Sequence, residues 1–80
     1  MKTILITGAS KGIGRALALK LAAEGHNLAL VARSRPELET LSNEIQQEGG
    51  HALIFPGDVA DEALATKAVA DTVAAYGKLD

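Results

Sequence analysis

Three short apolar runs mark the chain, Ile4 to Ile6, Leu28 to Ala32 and His51 to Phe55, each followed by a longer stretch with helical spacing. Continuous runs without alternation are the pattern of strands covered on both faces, and hence of a parallel sheet. After the first run, Ile13, Ala16, Leu17 and Leu21 fall at i, i+3, i+4 and i+8, which predicts a helix to Ala23 with one apolar stripe, ended by Gly25. After the second, Ser34 and Glu37 form an S-x-x-E capping box with Pro36 in the first turn. Leu38, Leu41 and Ile45 mark the buried stripe, and Gly49 and Gly50 stop the helix. The third run breaks at Pro56 and Gly57. A helix restarts at Asp61, carries a stripe of Ala65, Ala68, Val69, Thr72, Val73 and Tyr76, and closes at Gly77. Lys78, Leu79 and Asp80 read as the lead into a fourth strand.

A unit of about twenty-five residues suits strand–helix repeats rather than a solenoid. Parallel crossovers are right-handed in about 98% of cases, so the strands should lie in the order 3-2-1, with the first two helices on one face and the third on the other. The fold class is therefore α/β: the N-terminal half of a three-layer, doubly wound, Rossmann-like parallel sheet. In a complete sheet of this kind a fourth strand lies beyond the first, and nucleotides bind in the crevice between them. Residues 1–80 are expected to form a single partial domain that stops before that strand. The open edge of the first strand could then self-associate or accept a partner's strand.

Composition narrows the classes. A chain of 80 residues buries only about 60% of the surface its unfolded form exposes. Eight Lys and Arg against ten Asp and Glu, scattered along the chain, argue against a nucleic-acid surface. No cysteine is present, so disulfides and thiolate metal sites are excluded. His26 and His51 have no carboxylate spacing to complete a metal site, and Glu37, Glu39, Glu44 and Glu48 read as a solvated helix face. MKTILIT is too short an apolar run for a signal or membrane span, so a soluble, cytoplasmic protein is expected.

The chemistry lies in Thr7 to Gly14, TGASKGIG, between the first strand and first helix. Its spacing, Gly8-x3-Gly12-x-Gly14, matches neither G-x-G-x-x-G nor the P-loop. Each glycine still has a task. Gly8 turns the chain off the strand, Gly12 lets backbone approach a pyrophosphate, and Gly14 lets the helix pack tightly on the sheet. Ser10 offers a hydroxyl, Lys11 a charge, and the helix N-terminus unpaired N–H groups with a positive dipole end.

Two further positions fall at the same end of the sheet. After the second strand, where a carboxylate would accept ribose hydroxyls and repel a 2′-phosphate, the chain has Ala32 and Arg33, so Arg33 and Lys11 could flank that phosphate. After the third strand comes Asp58-Val59. Asp58 is either a turn residue or an acceptor for an adenine amino group, with Val59 against the ring, and spacing does not choose.

With TGASKGIGRA, Arg33, GDVAD and YGKLD in this order, the whole chain resembles the N-terminal part of a short-chain dehydrogenase/reductase of the NADPH-preferring type. The resemblance implies that Gly8, Ser10, Lys11, Gly12, Ile13 and Gly14 surround the phosphates of NADP(H). It further implies that Arg33 and Lys11 recognise the 2′-phosphate and that Asp58 and Val59 hold adenine, while Ala32 falls where NAD-preferring relatives carry Asp. Such proteins continue with a fourth strand, an Asn-Asn-Ala-Gly turn, a catalytic Ser and a Tyr-x-x-x-Lys pair. Tyr76 is not that tyrosine, because Asp80 follows four residues on. The expectation is thus the NADP(H)-binding portion of an oxidoreductase, itself without catalytic residues and inactive; the alternative is a non-catalytic nucleotide-binding or strand-pairing module.

Overall fold

A computed structural model describes residues 2–77 and 79. Strands β1 (Thr3–Thr7), β2 (Asn27–Ala32) and β3 (His51–Pro56) alternate with helices α1 (Gly12–Ala23), α2 (Arg35–Gln47) and α3 (Glu62–Tyr76). The strands form one parallel sheet in the order β1-β2-β3, the expected 3-2-1 order read from its other edge. Thr3 to Thr7 pair with Asn27 to Val31, and Asn27 to Ala32 pair with His51 to Pro56. The expected fourth-strand lead includes Lys78 and Asp80, which lie outside the described residues.

β2 is the spine because both its faces are covered. Leu28, Leu30 and Ala32 point into a core with Ile6 of β1, Ala18 and Ala22 of α1, and Leu38, Leu41 and Ile45 of α2. Ala29 and Val31 point the other way, against Phe55 of β3 and Ala68 of α3. Two helices therefore lie on one face and the third on the other. Fully burying a Leu or Ile contributes about 1.5–3 kcal/mol, so the α2 stripe anchors the larger core.

The helix ends follow local chemistry. Ser34 Oγ accepts the Glu37 N–H at 3.4 Å, and Asp61 Oδ1 accepts the Ala63 and Leu64 N–H groups. Gly77, with a left-handed φ of 82°, donates its N–H to the Val73 carbonyl and closes α3.

Several sequence expectations are corrected. The buried face of α1 is set by Ala18 and Ala22, whereas Ala16 and Leu17 are exposed and Ile13 is 88% exposed. In α3, Ala68 and Thr72 are buried while Ala65, Val69 and Val73 are exposed. α1 and α3 thus bury only part of their expected stripes, whereas the stripe of α2 is buried in full. Nor is the capping box closed. The Glu37 carboxylate turns toward Lys11, with Nζ–Oε1 3.9 Å, instead of serving the start of α2. The acidic residues of α2 are more than a solvated face, since Glu44 is clamped by the Arg15 guanidinium across the α1–α2 interface.

Gly14 is where α1 meets the loop leaving β1, not the sheet. A Cβ there would stand 2.9 Å from the Gly8 carbonyl carbon and 3.2 Å from Ala9 Cα, and closer still to the Gly8 carbonyl oxygen. All three are backbone atoms, so relief requires moving the loop. Gly14→Ala should therefore destabilise the chain by about 1–3 kcal/mol, outweighing the gain of up to about 1 kcal/mol in helix propensity. Thermal melts should record a drop of several degrees; an unchanged or raised midpoint would remove this constraint.

Tyr76, the sole tyrosine, donates its hydroxyl to the Leu28 carbonyl at 3.2 Å, tying the end of α3 to β2. Burial raises its pKa above the ordinary value of 10.0. The unfolded phenol therefore ionises first. The stabilisation from burying the neutral phenol is complete below about pH 10 and is lost as pH rises through the folded value. Tyr76→Phe should cost about 1 kcal/mol at neutral pH. Denaturant titrations should find the gap between the two proteins narrowing in alkali; a constant gap would contradict the shift.

Candidate functional site

The carboxyl ends of the three strands meet in a cleft of about 370 Å³. Three backbone features shape it. The β1–α1 loop is pinned by the Ala9 N–H on the Val31 carbonyl at 3.3 Å, and the chain leaving β3 by the Gly57 N–H on the Ala32 carbonyl at 2.8 Å. Gly8 and Gly12 take left-handed φ values of 65° and 54°, and a Cβ at either would meet nothing within 4 Å. Both glycines thus border open space, and their backbones are accessible from it.

The N-terminus of α1 borders the same loop. Lys11 is its N-cap, and no side chain accepts a hydrogen bond there, unlike at α2 and α3. The N–H groups of the first turn thus keep their capacity to bind an anion.

Of the nine residues singled out from sequence, six line the cleft: Gly8, Ser10, Lys11, Arg33, Asp58 and Val59. Gly12, Ile13 and Gly14 do not. They form the first turn of α1, with Gly14 pressed against Gly8 and the Ile13 side chain in solvent. Ile13 can therefore serve an anion only through its backbone N–H. Val31, Ala32, Ser34 and Gly57 complete the lining.

The charged groups are already paired. Arg33 Nη2 lies 3.2 Å from Asp58 Oδ2, while Asp58 Oδ1 accepts the Ala60 N–H at 2.9 Å. Asp58 is thus a turn residue, one of its two sequence readings, and also the ion-pair partner of Arg33. Lys11 faces Glu37, which the sequence assigns to the capping box and to a solvated helix face. The signal for Glu37 was its place one turn into a helix whose N-cap, Ser34, lines the cleft.

Elsewhere the chemistry is structural. His26 Nδ1 accepts the Lys2 backbone N–H at 3.0 Å, and among the described residues no group of three or more His, Asp or Glu could hold a metal ion. Among those residues, too, no helix is long and apolar enough to cross a membrane.

Comparison with known proteins gives a consistent answer. Residues 2–80 match the family model described as short chain dehydrogenase. An 11-beta-hydroxysteroid dehydrogenase-like 3 of Arabidopsis thaliana is 45% identical over 80 residues, 99% of this chain and 26% of that protein. A 3-ketoacyl-ACP reductase from Sinorhizobium meliloti superposes with a TM-score of 0.92 at 46% identity, over 98% of this chain and 31% of that one. An alcohol dehydrogenase from Thermococcus sibiricus, solved with 5-hydroxy-NADP, superposes with a TM-score of 0.90 at 37% identity, over 100% of this chain and 34% of that one. The chain thus spans about a quarter to a third of the length of these relatives. A Gly-rich turn after the first of three parallel strands, and a family match that runs almost from end to end, place the chain in the short-chain dehydrogenase/reductase family.

Proposed function

We propose that this chain is a partial dinucleotide-binding domain, the adenosine-side portion of an oxidoreductase that transfers hydride between NADP(H) and a carbonyl or hydroxyl substrate. One observation carries the reading. Gly8, Ser10, Lys11, Arg33, Asp58 and Val59 converge in one cleft beside a helix start that no side chain caps.

The fit is chemical as well as spatial. Open space before Gly8 and Gly12 lets phosphate oxygens approach the backbone, and the first-turn N–H groups of Gly12, Ile13 and Gly14 can donate to them. Ser10 adds a hydroxyl donor. Lys11 and Arg33 are the cations for a 2′-phosphate, and Ala32, at the end of β2, adds no carboxylate of its own to the cleft. Asp58 and Val59 would border the adenine. When bound, the dinucleotide supplies or accepts the hydride; this chain's residues bind and orient its adenosine end.

No residue of the cleft is assigned to proton transfer. Tyr76 is bonded to the carbonyl of Leu28, near the amino end of β2, while the cleft lies at the carboxyl end. The groups that move the substrate's proton are accordingly proposed to lie in the part of a family-length protein that this chain does not span.

A second reading, a strand-pairing module, draws on the edge position of β1, which has β2 as its neighbour on one side only among the described residues. Leu17 on α1 and Val69 and Val73 on α3 are exposed on the two faces.

Calorimetric titration with 2′,5′-ADP and 5′-AMP tests the first reading. A charge-assisted hydrogen bond contributes about 1.5–3 kcal/mol, so the 2′-phosphate should tighten binding about tenfold or more. Arg33→Ala should abolish most of that difference, and Ala32→Asp should shift the preference toward the unphosphorylated nucleotide. Equal affinities in the parent chain would sink the NADP(H) preference. Sedimentation velocity tests the second: a defined dimer without nucleotide binding would favour the strand-pairing module, and a nucleotide-binding monomer would exclude it.

A further inference from the structure

Both cations of the cleft already have anionic partners. Arg33 is hydrogen-bonded to Asp58, and Lys11 stands 3.9 Å from Glu37. The side chains of Arg33 and Lys11 are 82% and 79% exposed, so both remain free to exchange partners. Their carboxylates are less free. Asp58 is tied into its turn by the Ala60 N–H. Glu37 sits in the first turn of α2, its own N–H given to Ser34 and its Oε2 buried without a hydrogen-bond partner.

From this arrangement we infer that Asp58 and Glu37 are specificity-determining residues, which hold Arg33 and Lys11 in the free site and thereby narrow its preference for a 2′-phosphate. The inference rests on the nucleotide reading proposed above. A phosphomonoester brings roughly two negative charges. To engage it, the guanidinium and the ammonium must leave carboxylates that remain where the turn and the helix hold them.

The two carboxylates therefore act twice. They compete for the donors before binding, and they repel the phosphate after it. An unphosphorylated ribose meets neither effect. Exposed ion pairs shift an equilibrium by up to about fivefold, so each carboxylate moderates the preference rather than reversing it. At Glu37 the effect is reinforced from below, because its Oε2 is out of water with no donor and the withdrawal of Lys11 removes the nearest cation from the carboxylate.

The test is titration of the 80-residue chain with 2′,5′-ADP and 5′-AMP, in the parent and in the Glu37→Gln, Asp58→Asn and doubly substituted forms. Glu37→Gln should tighten 2′,5′-ADP about threefold and leave 5′-AMP unchanged. Asp58→Asn keeps an acceptor for the Ala60 N–H and should raise the ratio of the two affinities about threefold. The double form should raise it about tenfold, because the two pairs share no partner, and added salt should shrink the gain. If Asp58→Asn does not fold, Glu37→Gln decides alone. Nucleotide binding with a ratio within about twofold of the parent's would overturn the inference and leave the site reading intact. A fall in the ratio would also overturn it, since the carboxylates would then be positioning the cations rather than competing for them. A parent chain that binds neither nucleotide would overturn the site reading, and this inference with it.

Discussion

The carboxyl end of the sheet depends on one close approach, the first turn of α1 resting against the loop that leaves β1. Position 14 has no room for a methyl group, because the Gly8 carbonyl and Ala9 Cα occupy the space. With α1 seated there, the chain must turn through left-handed residues on either side of the loop, at Gly8 and at Gly12. Ser10 and Lys11 are what remains between them, facing outward because Ala9 is fully buried and hydrogen-bonded to the end of β2. A loop this constrained has little freedom to lose when it binds an anion, which is how rigid backbone cradles gain affinity.

The same constraint sets the cleft's electrostatics. The loop carries Lys11 toward the start of α2, and Ser34 caps that helix so that Glu37 comes within 3.9 Å of the ammonium. Across the cleft, the turn after β3 brings Asp58 to Arg33. Each cation is offset by a carboxylate, Arg33 by Asp58 within the cleft and Lys11 by Glu37 beside it, despite the basic character that the two suggest when read alone. The selectivity of such a site is then a difference between two competing sets of contacts, not a sum of attractive ones.

Much of this was legible in the sequence, for identifiable reasons. The strands were visible because β2 is covered on both faces and so contains no polar residue between Leu28 and Ala32. α2 was legible in detail because Ser34, Pro36, Leu38, Leu41 and Ile45 each act through local chemistry or through one wide core. The loop glycines were legible as a group, though Gly14 answers to the loop and not to the sheet. What periodicity could not give was the rotational phase of α1 and α3. Both helices are rich in alanine, and a stripe of small residues fits the sheet in more than one rotation. Side-chain pairing was hidden as well. Glu37 fits a capping box by spacing, yet its carboxylate goes to Lys11, a partner twenty-six positions away that only the fold brings near.

The exposed apolar residues follow from the same topology. Ile13 and Leu17 belong to α1, and Val69 and Val73 to α3, so they lie on opposite faces of the sheet. The core, by contrast, is centred on β2, with α2 over one side of it and Ala68 against the other. A three-stranded sheet offers each of α1 and α3 too narrow a floor to bury a full stripe. Both helices therefore keep the small residues, Ala18, Ala22 and Ala68, against the strands, with Leu19, Leu21 and Leu64 partly buried beside them, and leave Ile13, Leu17, Val69 and Val73 outside. That choice favours close approach over buried area, and close approach is what the cleft requires. A helix held near the sheet by alanines keeps its N-terminus beside Gly8, so the packing that leaves apolar surface uncovered is also the packing that shapes the anion-binding loop.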